Sequence, residues 1–113
     1  MRTREIPARE WPLFLDRFAR EHRAWVATVD RGGKVEAKDE PLESISTERG
    51  IEIHIGAKTI RVDQPKALHV EETDRGAVQA LEVDDAAGLR LTLRFRVAEP
   101  PGALDGLAPT ERA

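Results

Sequence analysis

Two hydrophobic periods divide the chain, and the first covers only its N-terminal quarter. Apolar side chains and one histidine recur there at the i, i+3, i+4 and i+7 spacing of one helical face, as Trp11, Phe14, Leu15, Phe18 and His22. Pro12 fits a helix only in its first turn, where its missing N–H has no carbonyl partner to lose. The pattern therefore predicts one amphipathic helix that begins between residues 8 and 11 and packs its aromatic side chains and Leu15 against the core.

From Trp25 onward the period becomes 2, which is typical of short strands separated by Gly and Pro turns. The predicted strands cover residues 25–30, 35–45 with an interruption at Pro41, 51–55, 60–62, 68–70, 78–84 and 89–97. A four-residue loop over 56–59 is expected to set Ile55 opposite Ile60 and His54 opposite Arg61. The alternation of apolar and polar residues along each strand predicts one buried face and one solvent-exposed face.

The C-terminal hairpin carries the most regular alternation in the chain. Its predicted register pairs Val83 with Leu91 and Leu81 with Leu93. On the outer face this register sets Asp84 against Arg90 and leaves Glu82 diagonal to both Arg90 and Arg94. These charges would largely cancel across the strands.

The fold predicted from these elements is α+β: one N-terminal amphipathic helix packed on a six- or seven-stranded, mostly antiparallel sheet, which can also curl into a small barrel. Residues 1–98 form a single domain, and the Pro- and Gly-containing residues 99–113 are expected to be a loosely ordered tail. If the strand over 89–97 lies at a sheet edge, it is a natural seam for a homodimer.

Composition narrows the class of protein. The chain has 113 residues, of which 35% are charged, with a net charge of −3. This balance argues against a generally basic nucleic-acid binder and a polybasic membrane-surface protein. The absence of cysteine excludes disulfides, thiolate catalysis and cysteine-ligated metals. No apolar run approaches the ~20 residues of a membrane span, and the N-terminus lacks a signal-peptide core. We therefore expect a cytoplasmic protein with neither a membrane nor a nucleic acid as partner.

Three segments carry a resemblance to known proteins: REIPAREWPLFLDRFAREHRAWVATV, VEAKDEPLESI and ALEVDDAAGLRLTLRFR. Together they resemble a bacterial family of small proteins of about this length, described only as a domain of unknown function. The most specific part is the N-terminal pattern of Ile6, Pro7, Trp11, Phe14, Phe18, His22 and Trp25, and the similarity extends to about Val97. The resemblance implies an autonomous domain. Because the family has no assigned activity, it carries over no catalytic residue.

The three histidines, His22, His54 and His69, are the candidate metal ligands. No pair of them has the i, i+4 helical spacing or the short hairpin spacing of a recognisable zinc site. His22 is interpreted instead as a helix C-terminal residue that is favourable to the helix dipole when protonated. The acidic clusters over 39–43 and 71–74 lack the pattern of an EF-hand loop and are read as solvated loop charge. The sequence therefore predicts no metal and no other cofactor.

Arginines project from the outer face of the last strand, at positions 90, 94 and 96. Adjacent outward positions on a strand lie ~6.6 Å apart, close to the spacing of phosphates. An anionic ligand is the functional hypothesis for this stripe. An outer face neutralised by Glu82 and Asp84 is the favoured interpretation.

Three functions from different classes remain open. The chain lacks the GxSxG, Walker A, GxGxxG and HExxH motifs, so no catalytic residue is predicted and a non-catalytic binding or regulatory module, with a protein partner or as a homodimer, is favoured. The first alternative is a small-ligand pocket between helix and sheet, lined by Trp25, His22 or Arg61. The second is a weak enzyme built on Asp, Glu and His. The residues predicted to contact a ligand or partner are Trp25, His54, Arg61, Arg90, Arg94 and Arg96.

Overall fold

The computed structural model describes residues 2–96, and its elements follow the predicted change of hydrophobic period. A short 3-10 turn, Ala8–Glu10, leads into one helix, α1, at Trp11–Glu21. The strands are β1 (Arg2–Glu5), β2 (Val26–Arg31), β3 (Lys34–Ser46), β4 (Ile51–Ile55), β5 (Lys58–Val62), β6 (Pro65–Glu72), β7 (Val78–Asp85) and β8 (Arg90–Phe95). The α+β class and the single predicted helix are confirmed.

Helix α1 buries the stripe that its spacing predicts. Leu15, Phe18 and Ala19 are buried, while Trp11 and Phe14 are half-buried against the same core. Proline in the first turn leaves the helical hydrogen bonds intact, as expected. The helix therefore presents one apolar face to the sheet and leaves the other face to solvent.

The start of α1 is tied to the chain segment before it. The Trp11 indole N–H donates to the carbonyl oxygen of Ile6 at 2.8 Å. Ile6 is only 1% exposed, and its own N–H donates to the carbonyl of Leu68 at 2.8 Å. This buried anchor holds β1 against β6, although the four residues of β1 are all exposed and show no hydrophobic alternation.

Among residues 2–96 the strands form one antiparallel sheet of eight, in the order β1-β6-β7-β8-β2-β3-β4-β5. The predicted number of six or seven is too small, because β1 pairs through its backbone and gives no apolar signal in the sequence. Pro41 does not interrupt β3, which bulges near Asp39, a residue with a φ of 52°. The sheet does not close, so the barrel alternative is wrong.

The sheet nevertheless curls until its two ends approach each other. β5 is the last strand in the sheet, yet only residues 63 and 64 join it to β6, second from the opposite edge. Three Cα steps can span at most about 11 Å. Arg31 of β2 also donates from Nη2 to the carbonyl of Arg61 on β5, at 2.7 Å. One apolar cluster fills the inside of this curl and includes side chains of α1 and of every strand except β1.

The register of the C-terminal hairpin is confirmed, whereas the predicted register of the central hairpin is wrong. β7 and β8 pair Val83 with Leu91, Leu81 with Leu93 and Asp84 with Arg90. In β4 and β5 the observed pairs are Ile55–Lys58, His54–Thr59, Ile53–Ile60 and Glu52–Arg61. The turn is two residues rather than four, since Gly56 adopts the left-handed φ of 57° that a tight hairpin turn uses. A shift by an even number of residues keeps the isoleucines on the core face.

β8 lies between β7 and β2 in the interior of the sheet. It therefore offers no edge to a second copy, and the condition for the predicted dimer seam is not met. The edges of the described sheet are β1 and β5. The predicted tail, residues 99–113, lies outside the described residues. Within residues 2–96, no helix is both long and apolar enough to cross a membrane.

Candidate functional site

A cluster of aromatic rings surrounds His22 at the end of α1. The imidazole lies 4.6 Å from the ring of Phe18, stacks on Phe95 at 5.0 Å and meets Trp25 edge-on at 4.6 Å, measured between centroids. His22 is 7% exposed. Its position at the helix C-terminus agrees with the sequence, while its enclosure by Trp25, just before β2, and by Phe95 of β8 depends on the tertiary fold.

The hydrogen bonding of His22 defines which ring nitrogen is available. Nδ1 lies 2.7 Å from the carbonyl oxygen of Phe18. A carbonyl only accepts, so Nδ1 carries the proton and donates to Phe18, and in the neutral ring Nε2 is an acceptor. In the described part of the chain Nε2 has no hydrogen-bond partner, and the fully enclosed atoms without partners are Arg31 Nε and His69 Nδ1. Nε2 of His22 is not one of these enclosed atoms, so it keeps some access to solvent.

A pocket of about 120 Å³ lies beside this imidazole, between α1 and the β1–β6–β7 side of the sheet. It is smaller than the roughly 300 Å³ at which pockets for drug-sized ligands begin. The pocket exists because α1 packs most closely on β3 and leaves a gap towards β6 and β7. It is lined by Arg4, Phe14, Arg17, Phe18, Glu21, His22, Val70, Glu72 and Val78. The hypothesis of a pocket between helix and sheet with His22 in its wall thus has a specific place in the structure.

Charged groups of both signs stand around this pocket. Glu72 lies 3.6 Å from Arg2 and 3.9 Å from Arg4, measured between side-chain N and O atoms. The guanidinium of Arg4 also lies 5.9 Å from the centroid of the Phe14 ring. Arg17 and Glu21 have no ion-pair partner within residues 2–96. The pocket itself is lined by two guanidinium groups, Arg4 and Arg17, and two carboxylates, Glu21 and Glu72, so its charges balance.

Two of the three predicted arginines on β8 are engaged by carboxylates. Arg90 donates to Asp84 from Nε at 2.7 Å and from Nη2 at 3.1 Å, and its Nη1 lies 3.3 Å from Glu82. Arg94 pairs with Glu71 at 3.3 Å and not with Glu82. Ala80 lies between Arg94 and Glu71 in the same cross-strand row, so its small side chain lets the long arginine reach β6. This arrangement supports the neutralised outer face.

The remaining predicted contact residues lie in three different places. Arg96 is exposed just beyond β8. His54 and Arg61 stand on the outer face of the β4–β5 hairpin, where Arg61 donates to Glu52 at 2.8 Å. Trp25 contacts the His22 ring but does not line the pocket, and neither does Arg61. The structure therefore does not bring the six predicted residues together.

The three histidines are also kept apart. His22 lies in the aromatic cluster, His54 on β4 and His69 on β6, where its Nε2 is 3.9 Å from Glu5. Nowhere in residues 2–96 do three His, Cys, Asp or Glu side chains form a group that could hold a metal ion.

The ion pair between Asp84 and Arg90 gives a testable pH dependence. Hydrogen bonding from Arg90 holds the pKa of the Asp84 carboxyl below its usual range. The folded state therefore binds fewer protons than the unfolded state, whose Asp pKa is about 3.9. The contribution to stability is complete above that value and is lost as the pH falls through the lower folded-state pKa.

We expect the melting-temperature difference between the wild type and Asp84→Asn to shrink as the pH is lowered from 7 towards 3. The effect corresponds to at most about 1 kcal/mol, because the pair is partly exposed. Thermal melts followed by circular dichroism measure it. Asp63→Asn, at a carboxylate 83% exposed, corrects for the loss of one negative charge. A difference that stays constant with pH would contradict the role of the pair.

Several residues at the pocket were missed by sequence reasoning, above all Arg4, Arg17, Glu21 and Glu72. Arg17 and Glu21 stand three and seven positions after Phe14, on the same helical face, so the spacing contained a signal for them. Arg4 and Glu72 come together only through the pairing of β1 with β6. No local pattern predicts that pairing.

Comparison with known proteins places the chain in a family without supplying an activity. The model of a family of unknown function, DUF5335, matches residues 2–104. Neither a curated protein nor a solved structure matches the chain. The family match covers nearly the whole sequence and confirms the resemblance noted from the N-terminal and strand segments. The chain therefore belongs to DUF5335, a family of unknown function.

Proposed function

We propose that this protein is a non-catalytic binding module whose small ligand occupies the pocket between α1 and the β1–β6–β7 side of the sheet. One observation carries the proposal: an imidazole that is nine-tenths buried lines this pocket and leaves Nε2 without a partner in the described chain. Nε2 is not among the fully enclosed polar atoms, so solvent or a small hydrogen-bond donor can reach it.

The composition of the pocket also suits a ligand. Four of its nine lining residues are apolar, namely Phe14, Phe18, Val70 and Val78, and five are polar or charged, namely Arg4, Arg17, Glu21, His22 and Glu72. Small-molecule sites typically combine an apolar lining with a small number of placed polar groups. The proposal thus takes up the first alternative named from the sequence, a small-ligand pocket between helix and sheet.

The first test is a small-fragment titration followed by NMR. The panel contains acids, amides, amines and alcohols of a few carbon atoms, and the signals followed are the imidazole of His22 and the indole of Trp25. We expect at least one class to shift both signals in a saturable manner. His54, which lies on the β4–β5 hairpin, provides the internal control and should not move. If no compound in the panel shifts the His22 imidazole signal, the proposal is wrong.

A blocking variant makes the test specific for the pocket. Val78→Trp places a large ring in its wall, and we expect it to abolish the fragment-induced shifts of His22. The matched control is Val35→Trp, at a valine that is 52% exposed on β3 and does not line the pocket. Shifts that persist in Val78→Trp would place the binding elsewhere.

A second candidate, binding of a protein partner, is favoured by the free edge of β1. The Ile6 N–H donates to the carbonyl of Leu68, and along an antiparallel strand every second residue bonds to the same neighbour. The backbone groups of Thr3 and Glu5 therefore point away from β6, towards the open side of β1. Pairing of β1 with a second copy is disfavoured. Each antiparallel register opposes like charges, namely Arg2 with Arg4, Arg4 with itself, or Glu5 with itself.

The β1 edge therefore suits an extended acidic segment of another protein better than a homodimer. Native mass spectrometry of the freshly purified chain separates these outcomes. A monomer with a retained small mass supports the pocket, whereas a dimer without such a mass supports self-association. A retained peptide or protein that is lost on deletion of residues 1–4 supports the β1 edge.

A further inference from the structure

We infer that the open edge of β1 binds an extended segment of another protein with a defined order of charges. From its N-terminus, the segment has a basic residue, an acidic residue, any residue and a second acidic residue. The inference rests on the second candidate function, a protein partner at this edge, and states which segment such a partner presents. Three features carry it: free backbone groups at the edge, opposite charges on the two faces of β1, and the antiparallel sheet.

β1 is the edge of the described sheet that remains available to another strand. At the other edge, β5, the carbonyl of Arg61 is already occupied by the guanidinium of Arg31, at 2.7 Å. The outward N–H and C=O groups of Thr3 and Glu5 bond to nothing in the described part of the chain. An extended segment can therefore pair with β1 through main-chain hydrogen bonds.

The side chains of β1 divide between the two faces of the sheet. Arg4 has the same parity as Ile6, which is 1% exposed in the core, so Arg4 lies on the face that carries α1. Its guanidinium accordingly lies 5.9 Å from the ring centroid of Phe14 on α1. Thr3 and Glu5 have the opposite parity and lie on the outer face. A paired segment alternates in the same way, so each of its residues meets the charges of one face only.

The face of β1 towards α1 has an excess of positive charge. Arg2 and Arg4 both lie on this face, and they share one carboxylate of the described chain, that of Glu72, at 3.6 and 3.9 Å. Arg17 and Glu21, which line the pocket beside them, have opposite charges that cancel. Opposite charges stabilise a cross-strand pair and like charges destabilise it. Acidic residues are therefore favoured opposite Arg2 and Arg4.

The outer face has an excess of negative charge at the same edge. Glu5 is 67% exposed, and its partner in the described chain is His69, whose Nε2 lies 3.9 Å from the carboxylate. The carboxylate of Glu71 on this face is paired with Arg94 at 3.3 Å. A basic residue is therefore favoured opposite Glu5, whereas the neutral Thr3 places no restriction on the residue opposite it.

The direction of the segment follows from the sheet. Every strand pair of the described sheet is antiparallel. An antiparallel segment forms hydrogen-bonded pairs opposite Thr3 and Glu5 and meets residues 5, 4, 3 and 2 in turn. This direction gives the order basic, acidic, any, acidic. β1 itself has the order basic, neutral, basic, acidic, so a second copy of the chain does not fit.

The experiment titrates peptides into the full chain at low ionic strength, where surface charges are screened least. NMR follows the amide signals of Thr3 and Glu5. The probe is acetyl-Thr-Lys-Glu-Val-Glu-Thr-amide. The matched control, acetyl-Thr-Glu-Lys-Val-Glu-Thr-amide, has the same composition and net charge but places like charges opposite Glu5 and Arg4. We expect the probe to shift both amides in a saturable manner and to bind at least about fivefold tighter than the control.

N-methylated probes show whether the backbones pair. The N–H of the probe's valine, opposite Thr3, donates to β1, so its methylation should abolish the shifts. The N–H of the first glutamate, opposite Arg4, points away from β1, and its methylation should be tolerated. Equal effects of the two methyl groups would overturn strand pairing.

A charge exchange tests the basic position of the segment. In Glu5→Lys, acetyl-Thr-Glu-Glu-Val-Glu-Thr-amide should bind tighter than the probe. The matched control Glu48→Lys makes the same change at an exposed residue before β4 and should keep the wild-type preference. An unchanged preference in Glu5→Lys would overturn the pairing of a basic residue with Glu5.

The outcomes separate this inference from the candidate function on which it rests. Equal binding of the probe and its control would overturn the order of charges and leave β1 as a binding edge. Tighter binding of the reversed peptide, acetyl-Thr-Glu-Val-Glu-Lys-Thr-amide, would overturn the antiparallel direction. Amide signals of Thr3 and Glu5 that no peptide moves would overturn the inference. If native mass spectrometry then also retains no peptide or protein at β1, the candidate function is wrong as well.

Discussion

Replacement of Leu15 by Asp should abolish the cooperative unfolding transition of the domain. Leu15 has no exposed surface, and its side chain joins α1 to the apolar cluster inside the curled sheet. A carboxylate at this position has no cationic partner inside the cluster, so it must either be protonated or be exposed by unfolding. The cost is several kcal/mol, comparable to the whole stability of a small domain, about 5–15 kcal/mol. Circular dichroism melts and amide NMR dispersion measure the result.

Leu13→Asp is the matched control, because it makes the same substitution two positions earlier on the same helix. Leu13 is 64% exposed, and its replacement should change the melting temperature by no more than a few degrees. A folded Leu15→Asp protein with dispersed amide signals would show that α1 does not seal the core. The pocket would then lose its wall as well, since Phe14 and Phe18 stand on the same helix.

Gly50→Ala should cost more stability than a typical loop substitution, for two separate reasons. The residue has a φ of +74°, and a Cβ at this position would lie 2.2 Å from the backbone oxygen of Val62 and 2.9 Å from that of Asp63. The left-handed conformation alone costs an alanine about 1–2 kcal/mol. Relief of the clash also requires the end of β5 to move away, so we expect a total above about 3 kcal/mol. Urea unfolding of the two proteins gives the value.

Gly76→Ala separates the two contributions. Gly76 has a similar φ of +82°, but nothing lies within 4 Å of the position that its Cβ would take. It should show only the conformational cost. Equal losses for Gly50→Ala and Gly76→Ala would mean that the turn before β4 does not press against the end of β5. That contact lies beside the short connection from β5 to β6, which brings the two ends of the sheet together.

Part of the site was predictable from the sequence. Contacts between residues close in the chain could be predicted, whereas contacts between distant strands could not. The helical spacing placed Phe14, Phe18 and His22 on one face, and the position of His22 at the helix end is what makes its Nδ1 donate to Phe18. The prediction that Arg61 lines the pocket is wrong, because Arg61 lies on β5, at the opposite end of the strand order from β1 and β6. The counter-charges Arg4 and Glu72 meet because β1 pairs with β6, and nothing in the RTRE segment indicates a strand.

The fold shows the same division. The C-terminal hairpin register was predictable, because a short turn and complementary apolar pairs leave few alternatives. The register of the β4–β5 hairpin was not, since both turn lengths keep Ile53 and Ile60 on the core face. Only the left-handed backbone at Gly56 selects the tighter turn.

The sequence by itself determined the helix, the buried face of each main strand and the neutral balance of charge along β8. These follow from periodicity, which acts within one element or between neighbours in the chain. The tertiary structure alone decided the order of the strands, the edge position of β1 and the gap beside His22. Backbone hydrogen bonds are the same for any two strands, so alternation specifies which face is buried but not which strand lies next to it. That choice depends on how the whole apolar cluster packs, and the pocket is the space that this packing leaves between α1 and β6.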